Sequence, residues 1–267
     1  MRFGVCAGRQ QLAPLGDVTI DYLEENVQRF LCPEGPEEEF AAHLDETRTL
    51  PVPVEAANVF IPADLPLVAS ATQSVDLPRL ERYVRTALRR AEMAGIRVIV
   101  FGSGKARACP PDLDLGAGLR QIGEHLARWG DWAAGHGVSI AIEPLRRAET
   151  NMLNTVAESA ALVEQLGPPA IRLLADTYHM ACNGESPDDL RAFAPLLAHV
   201  HVAEYRERAA PGTHGEDFRP YFAALSQGGY DARISIECTW QDFAAQVAGA
   251  LATVREQWAM SAAGSSA

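Results

Sequence analysis

The sequence predicts an α/β chain closed into one (β/α)8 TIM barrel, and three observations carry that expectation. Short apolar runs alternate with amphipathic stretches along the whole chain, the pattern of parallel strands joined by helices. The length of 267 residues suits one such barrel, which typically takes about 250. Four consecutive apolar runs end in an acid or a histidine, and a barrel gathers its strand ends at one mouth.

Each element has its own signal. Arg2–Cys6 reads as the first strand and Val18–Glu24 as the second, with Glu24, Glu25 and Asn26 at the end where a site would lie. Glu38–Leu50 reads as a helix, with Phe40, Ala41, Leu44 and Thr47 at 3–4 spacing. The Pro-bounded segment from Pro51 to Pro62 carries the third strand, Ala57–Ile61. Leu77–Ala94 has a continuous apolar stripe through Leu80, Tyr83, Val84, Ala87, Leu88 and Ala91, and Gly95 ends it. Ile96–Phe101 is the fourth strand. The Gly102-Ser-Gly104 that follows lacks the rest of any nucleotide-binding signature and reads as a tight turn holding backbone close to a small ligand.

Leu115–Gly135 is the next helix, and Val138–Glu143 the fifth strand, stopped by Pro144, which cannot donate to a sheet ladder. Thr155 caps a helix over Val156–Leu166. Ile171–Asp176 is the sixth strand, and Ser186 caps a helix over Pro187–Leu197. Leu197–His201 and Ala232–Glu237 are the last two strands, followed or separated by helices at Phe218–Gln227 and Ala244–Met260. The barrel is expected over residues 1–260, with 261–267 a disordered tail.

Composition narrows the function. Hydrophobic content of 48% and charged content of 22% describe an ordinary globular chain, and a net charge of −12 repels nucleic acid phosphates. No stretch approaches a membrane span, and the first residues lack a signal peptide's apolar segment. Five cysteines without a C-x-x-C pair fit a reduced compartment, so the expectation is a cytoplasmic protein with no nucleic acid and no membrane partner.

The four strand ends carry Glu143, Asp176, the pair His199 and His201, and Glu237. A carboxylate closing a buried strand is costly unless a partner or a metal neutralises it. Glu, Asp, His and Glu together make an all-protein ligand set for one divalent cation. His199 and His201 are in phase along their strand, so both can face inward; His201 is the expected ligand and His199 a satisfied core histidine. His43, His125 and His136 are expected at the surface, and Tyr178, Tyr205 and Trp240 either stack on a ligand or pack.

The runs Ile-Glu-Pro-Leu, Glu-Thr-x-x-Leu-Asn-Thr, Asp-Thr-Tyr-His-Met, His-Val-His-Val-Ala-Glu and Ser-Ile-Glu-Cys resemble the sugar isomerase/epimerase group of the xylose isomerase-like barrel superfamily. Within that group the chain is most similar to ketose 3-epimerases of the D-tagatose and D-psicose type. The resemblance covers Ile96 to Glu237 well and the first ninety residues loosely.

It implies that Glu143, Asp176, His201 and Glu237 hold one divalent metal (Mn2+, Mg2+ or Co2+, with Zn2+ also compatible). Glu143 and Glu237 would double as the acid/base pair. Glu149 and His179 match residues that meet the substrate near the metal. The implied partner is a small sugar, and the implied assembly a homodimer or homotetramer. Two departures bear on specificity. Arg146 stands where the group often has Asn, and Arg206 or Arg208 would replace the arginine that follows the metal histidine. Extra arginines at the mouth would suit a phosphorylated or carboxylated substrate.

Other readings of the same residues are a dehydratase or isomerase of inososes or other cyclic polyol ketones, and a non-catalytic sugar-binding barrel. An endonuclease IV-like nuclease needs further histidines on earlier strands. The ends of strands three and four, Asn58–Pro62 and Phe101–Gly104, have none.

Overall fold

The computed structural model of the chain describes residues 1–12, 18–167 and 169–263. Its strands are β1 (Arg2–Cys6), β2 (Tyr22–Asn26), β3 (Val54–Asn58), β4 (Val98–Phe101), β5 (Ser139–Ile142), β6 (Ile171–Asp176), β7 (Leu197–Val202) and β8 (Arg233–Ile236). They pair in sequence order, all parallel, and β8 returns to β1 to close the barrel. The α-helices are α1 (Glu37–Thr47), α2 (Leu77–Ala94), α3 (Leu115–Gly135), α4 (Val156–Leu166), α5 (Thr177–Asn183), α6 (Asp189–Phe193), α7 (Arg219–Gln227) and α8 (Phe243–Ala263).

Two apolar layers result from strands buried on both faces. Outward residues such as Leu23, Ile99, Ile140 and Leu173 meet Leu88, Leu126, Trp129 and Phe222 from the helices. Inside the barrel, Tyr22, Ala56, Val98, Val100, Ala141 and Leu174 form a smaller core. Tyr22 fills the floor, its hydroxyl 2.8 Å from Ser235 Oγ. Its ring lies so close to Gly4 that a Cβ there would overlap it.

Helices α2, α3 and α4 have the expected bounds because their ends are chemically marked. Asp76 and Asp114 accept the N-terminal amides of α2 and α3, and Gly95 ends α2 at φ +79°. Thr155 and Glu158 form a reciprocal capping box on α4, an arrangement in which the cap alone stabilises by about 1 kcal/mol.

Elsewhere the structure corrects the expectation. β2 lies later than Val18–Glu24 and includes Glu25 and Asn26. β3 is Val54–Asn58, not Ala57–Ile61: Val59 turns to φ 55°, and Phe60 and Ile61 pack as a buried loop. The helix expected over Pro187–Leu197 is only α6 and a 3-10 turn at Ala194–Leu196, because Pro195 has no amide to continue it. α5 was not foreseen. The tail expected to be disordered from Ser261 begins inside α8, which runs to Ala263; residues 264–267 lie outside the described residues. His125 is buried, its Nε2 3.0 Å from the Leu67 carbonyl, rather than at the surface.

Candidate active site

At the carboxyl ends of the strands the barrel opens into a cavity of about 410 Å³. Glu143 follows β5, Asp176 ends β6, His201 lies within β7 and Glu237 follows β8. One donor atom from each of the four lies within 4.8 Å of every other. His201 Nδ1 is 3.2 Å from both Glu143 Oε1 and Glu237 Oε2.

The surrounding chain fixes each donor. Asp176 caps α5 with Oδ1, which accepts the Tyr178 amide at 2.8 Å, and so leaves Oδ2 facing the cluster. His201 directs Nε2 to Glu24 Oε1 at 2.9 Å, which frees the Nδ1 lone pair for a cation. Glu24 also takes His199 Nε2 at 2.6 Å, so both histidines hang from one fully buried carboxylate beneath the site. His199 is therefore a core histidine held at Nε2 only, its buried Nδ1 having no hydrogen-bond partner, and Glu24 lies beneath the four-residue cluster.

Glu143 is held from behind. Arg107, completely buried, donates to the carbonyls of Phe101 (3.1 Å), Glu143 (2.8 Å) and Leu153 (3.2 Å). The Glu143 carboxylate passes so close to Gly102 that any side chain at that position would collide with it. Opposite, Asn58 Nδ2 donates to Glu237 Oε1 at 2.8 Å.

Electrostatics separate the two glutamates. Burial and the facing Glu237 carboxylate push the Glu143 carboxyl up. Burial would also raise Glu237, but His201 and Arg208 outweigh it and hold that carboxyl down at about 2. Arg208 is kept firmly protonated: burial works against its charge, and Glu237 and Asp176 overcome it. Its guanidinium lies 3.2 Å from Asp176 Oδ2, pairs with Glu237, and stacks 4.9 Å over the Tyr178 ring.

The remaining expected site residues divide. His179 is buried, with Nδ1 accepting the Arg146 amide at 3.2 Å and Nε2 3.6 Å from Asp176 Oδ2. Glu149 lines the cavity and pairs with Arg146 Nε at 2.7 Å. Arg146 is thereby neutralised and lies over Tyr178, so it adds no free charge to the mouth. Arg206 is not in the site: its side chain is 70% exposed and points to Glu207. Tyr178 and Trp240 pack, Tyr178 beneath the two arginines and Trp240 against Phe243, whereas Tyr205 is exposed.

The sequence reading missed Asn58, Arg107 and Lys105, which also lines the cavity. A signal existed for the last two: a basic pair placed just after the Gly102-Ser-Gly104 turn.

Backbone strain concentrates on this side. Among the described residues, the non-glycine positions with positive φ are Cys32, Val59, Ser103, Leu153, Glu207 and Arg208. All six fall in the segments that follow β2, β3, β4, β5 and β7, on the cavity side of the barrel.

The donor set fits a divalent cation. Three carboxylates and one imidazole with its far nitrogen engaged converge on one point, in a site where buried negative charge demands a partner. No helix among the described residues is long and apolar enough to cross a membrane.

Comparison with known proteins agrees with the fold. A family profile described as "Xylose isomerase-like TIM barrel" matches residues 17–259. A ketose 3-epimerase of Arthrobacter globiformis is 35% identical over 127 residues, covering 45% of this chain and 42% of that protein. A putative hydroxypyruvate isomerase of Mus musculus is 32% identical over 101 residues, 36% of each chain. The chain spans less than half the length of these curated relatives. Among solved structures, D-psicose 3-epimerase with D-tagatose from Clostridium cellulolyticum H10 superposes with a TM-score of 0.81 at 18% identity, covering 97% of this chain and 99% of that one. At that identity the likeness establishes the fold.

Proposed function

The chain belongs to the xylose isomerase-like TIM barrel family, and we propose that it is a metal-dependent carbohydrate isomerase or epimerase that interconverts ketoses through a cis-enediolate. The observation that carries this reading is the convergence of Glu143, Asp176, His201 and Glu237 on one point at the cavity wall, with two glutamates among them to serve as an acid and a base.

The four residues would hold one Mn2+, Mg2+, Co2+ or Zn2+ ion. Such an ion, when bound, draws charge from a ketone oxygen and makes the neighbouring C–H acidic. The protein's own groups do the rest. One glutamate removes the proton from the carbon beside the ketone, and the other returns a proton to it, which inverts that carbon if delivered from the opposite face. Both must reload between turnovers, the base losing its proton to solvent and the acid regaining one. His179 presents Nε2–H toward the same point, since its Nδ1 accepts the Arg146 amide, and can donate to a substrate oxygen. Arg208 supplies a fixed positive charge beside Glu237 and steadies developing negative charge on the sugar. The substrate is a small sugar of the size this cavity admits.

The test is proton–deuterium exchange. Metal-loaded protein in heavy water, offered a panel of ketoses, ketose phosphates and inososes, is expected to place deuterium on the carbon next to a ketone. Failure with every compound, metal bound, would overturn the proposal. On the substrate so identified, Arg208→Ala is expected to lower kcat/KM by about 10- to 100-fold, the worth of a charge-assisted hydrogen bond. Arg206→Ala should stay within about threefold, and a loss equal to that of Arg208→Ala would contradict the placement of Arg206 outside the site.

A further inference from the structure

The chain has 22 arginines and a single lysine, Lys105. That lysine sits on the loop after β4 and lines the same cavity as Glu143, Glu149 and Glu237. Among the described residues no carboxylate lies within ion-pair distance of its ammonium and no acceptor engages it.

The arginines around the cavity already have partners within the protein. Arg208 is tied to Asp176 and Glu237, Arg146 to Glu149, and Arg107 to three backbone carbonyls. Of the lysine and arginine residues lining the cavity, Arg208 is held in ion pairs, whereas Lys105, an exposed side chain, carries none. Its anchor is rigid: Ser103 Oγ accepts the Ile61 amide at 2.9 Å, and the Arg107 amide donates to the Ser103 carbonyl at 3.1 Å. Only the four-carbon stem is free to move, which suits recognition of a compact negative charge.

We propose that Lys105 is the substrate-anion contact of this site, and that the ketose it takes carries a carboxylate or a phosphate. The inference rests on the isomerase reading and specifies its substrate class. A neutral ketose leaves the charge unanswered, whereas an anionic one pairs with it in a partly enclosed site where a charge-assisted hydrogen bond is strong.

A lone lysine gives a clean probe. Metal-loaded protein labelled with 15N only in lysine has one ε-ammonium signal, to be followed during titration with inorganic phosphate, with glycolate and with neutral glycerol. A saturable shift with phosphate or glycolate and none with glycerol is expected, and which anion acts separates the phosphate from the carboxylate source. In steady state, Lys105→Met is expected to raise KM for the anionic ketose by about tenfold or more while kcat changes less than about threefold, and Lys105→Arg to recover most of the loss. A signal unmoved by both anions, or an unchanged KM in Lys105→Met, overturns the proposal. Turnover of neutral ketoses alone would leave the isomerase reading standing and remove this one. Absence of turnover with every ketose would remove the isomerase reading, and the titration would still decide whether Lys105 binds an anion.

Discussion

Replacing Glu237 by Gln is expected to lower turnover by about 10³-fold, within the range general acid–base groups contribute, and Glu143→Gln to do the same. The change is isosteric, so the cavity keeps its shape while one carboxylate loses its proton-transfer capacity. Each glutamate is also a candidate metal donor, and the two losses must be told apart. Calorimetry with Mn2+ alone measures the affinity that remains; activity at saturating metal then reports proton transfer. A two-base site makes a sharper demand. Each variant should retain deuterium exchange starting from only one of the two epimers, the one whose proton faces the surviving base. Either variant retaining more than a tenth of wild-type activity at saturating metal would rule out its glutamate as acid or base.

Arg107→Met should destabilise the fold by about 3–5 kcal/mol, a large share of the roughly 5–15 kcal/mol typical of a folded protein. Arg107 has no exposed surface, stacks on Phe101 and gathers three carbonyls from the segments carrying β4, Glu143 and the loop before α4. Methionine fills much of the volume and donates nothing, so those carbonyls lose their guanidinium donor in a buried setting. Part of that loss is offset because a buried guanidinium is itself costly; burial pulls the Arg107 pKa down to about 10. Urea unfolding at 25 °C reads the difference, with an unchanged m-value expected. A shift below about 1 kcal/mol would mean these carbonyls find other partners. Since Arg107 also fixes the Glu143 main chain, the folded fraction should be less active than wild type.

How legible all this was in the sequence depended on whether local chemistry or long-range partners set each feature. The helices α2, α3 and α4 carry their caps within four residues of their ends, so their bounds could be read directly. β3 could not. Its segment Val-Glu-Ala-Ala-Asn is poor in strand formers, and Glu55 is tolerated because Arg2 and Arg233 from β1 and β8 meet it at 2.8 Å. The more apolar Val59–Ile61 next to it belongs to a loop. β2 misled for a similar reason: Glu24 looks like a strand terminus but lies inside the barrel, since two histidines 175 and 177 positions away satisfy it.

The four metal-type residues were legible because each closes or nearly closes its own apolar run, and the barrel then brings those runs together. The choice between Arg206 and Arg208 was not, because it turns on a left-handed kink at Glu207 and Arg208 that carries one side chain inward and the other into solvent.

Among the described residues, the confinement of left-handed non-glycine backbone to one rim bears on how this protein would respond to selection for heat resistance. Strained residues such as Val59 and Ser103 each hold back about 1–3 kcal/mol. A laboratory population screened for survival at high temperature would find its easiest gains there, by glycine or asparagine replacements that relax the chain. The same steps would loosen the walls that shape the cavity. The opposite rim has no such residue among those described, so thermostabilising changes there would leave the ligand-binding end untouched. The two ends of one barrel thus differ in evolvability: one can be hardened without trade-off, and the other only at the expense of turnover.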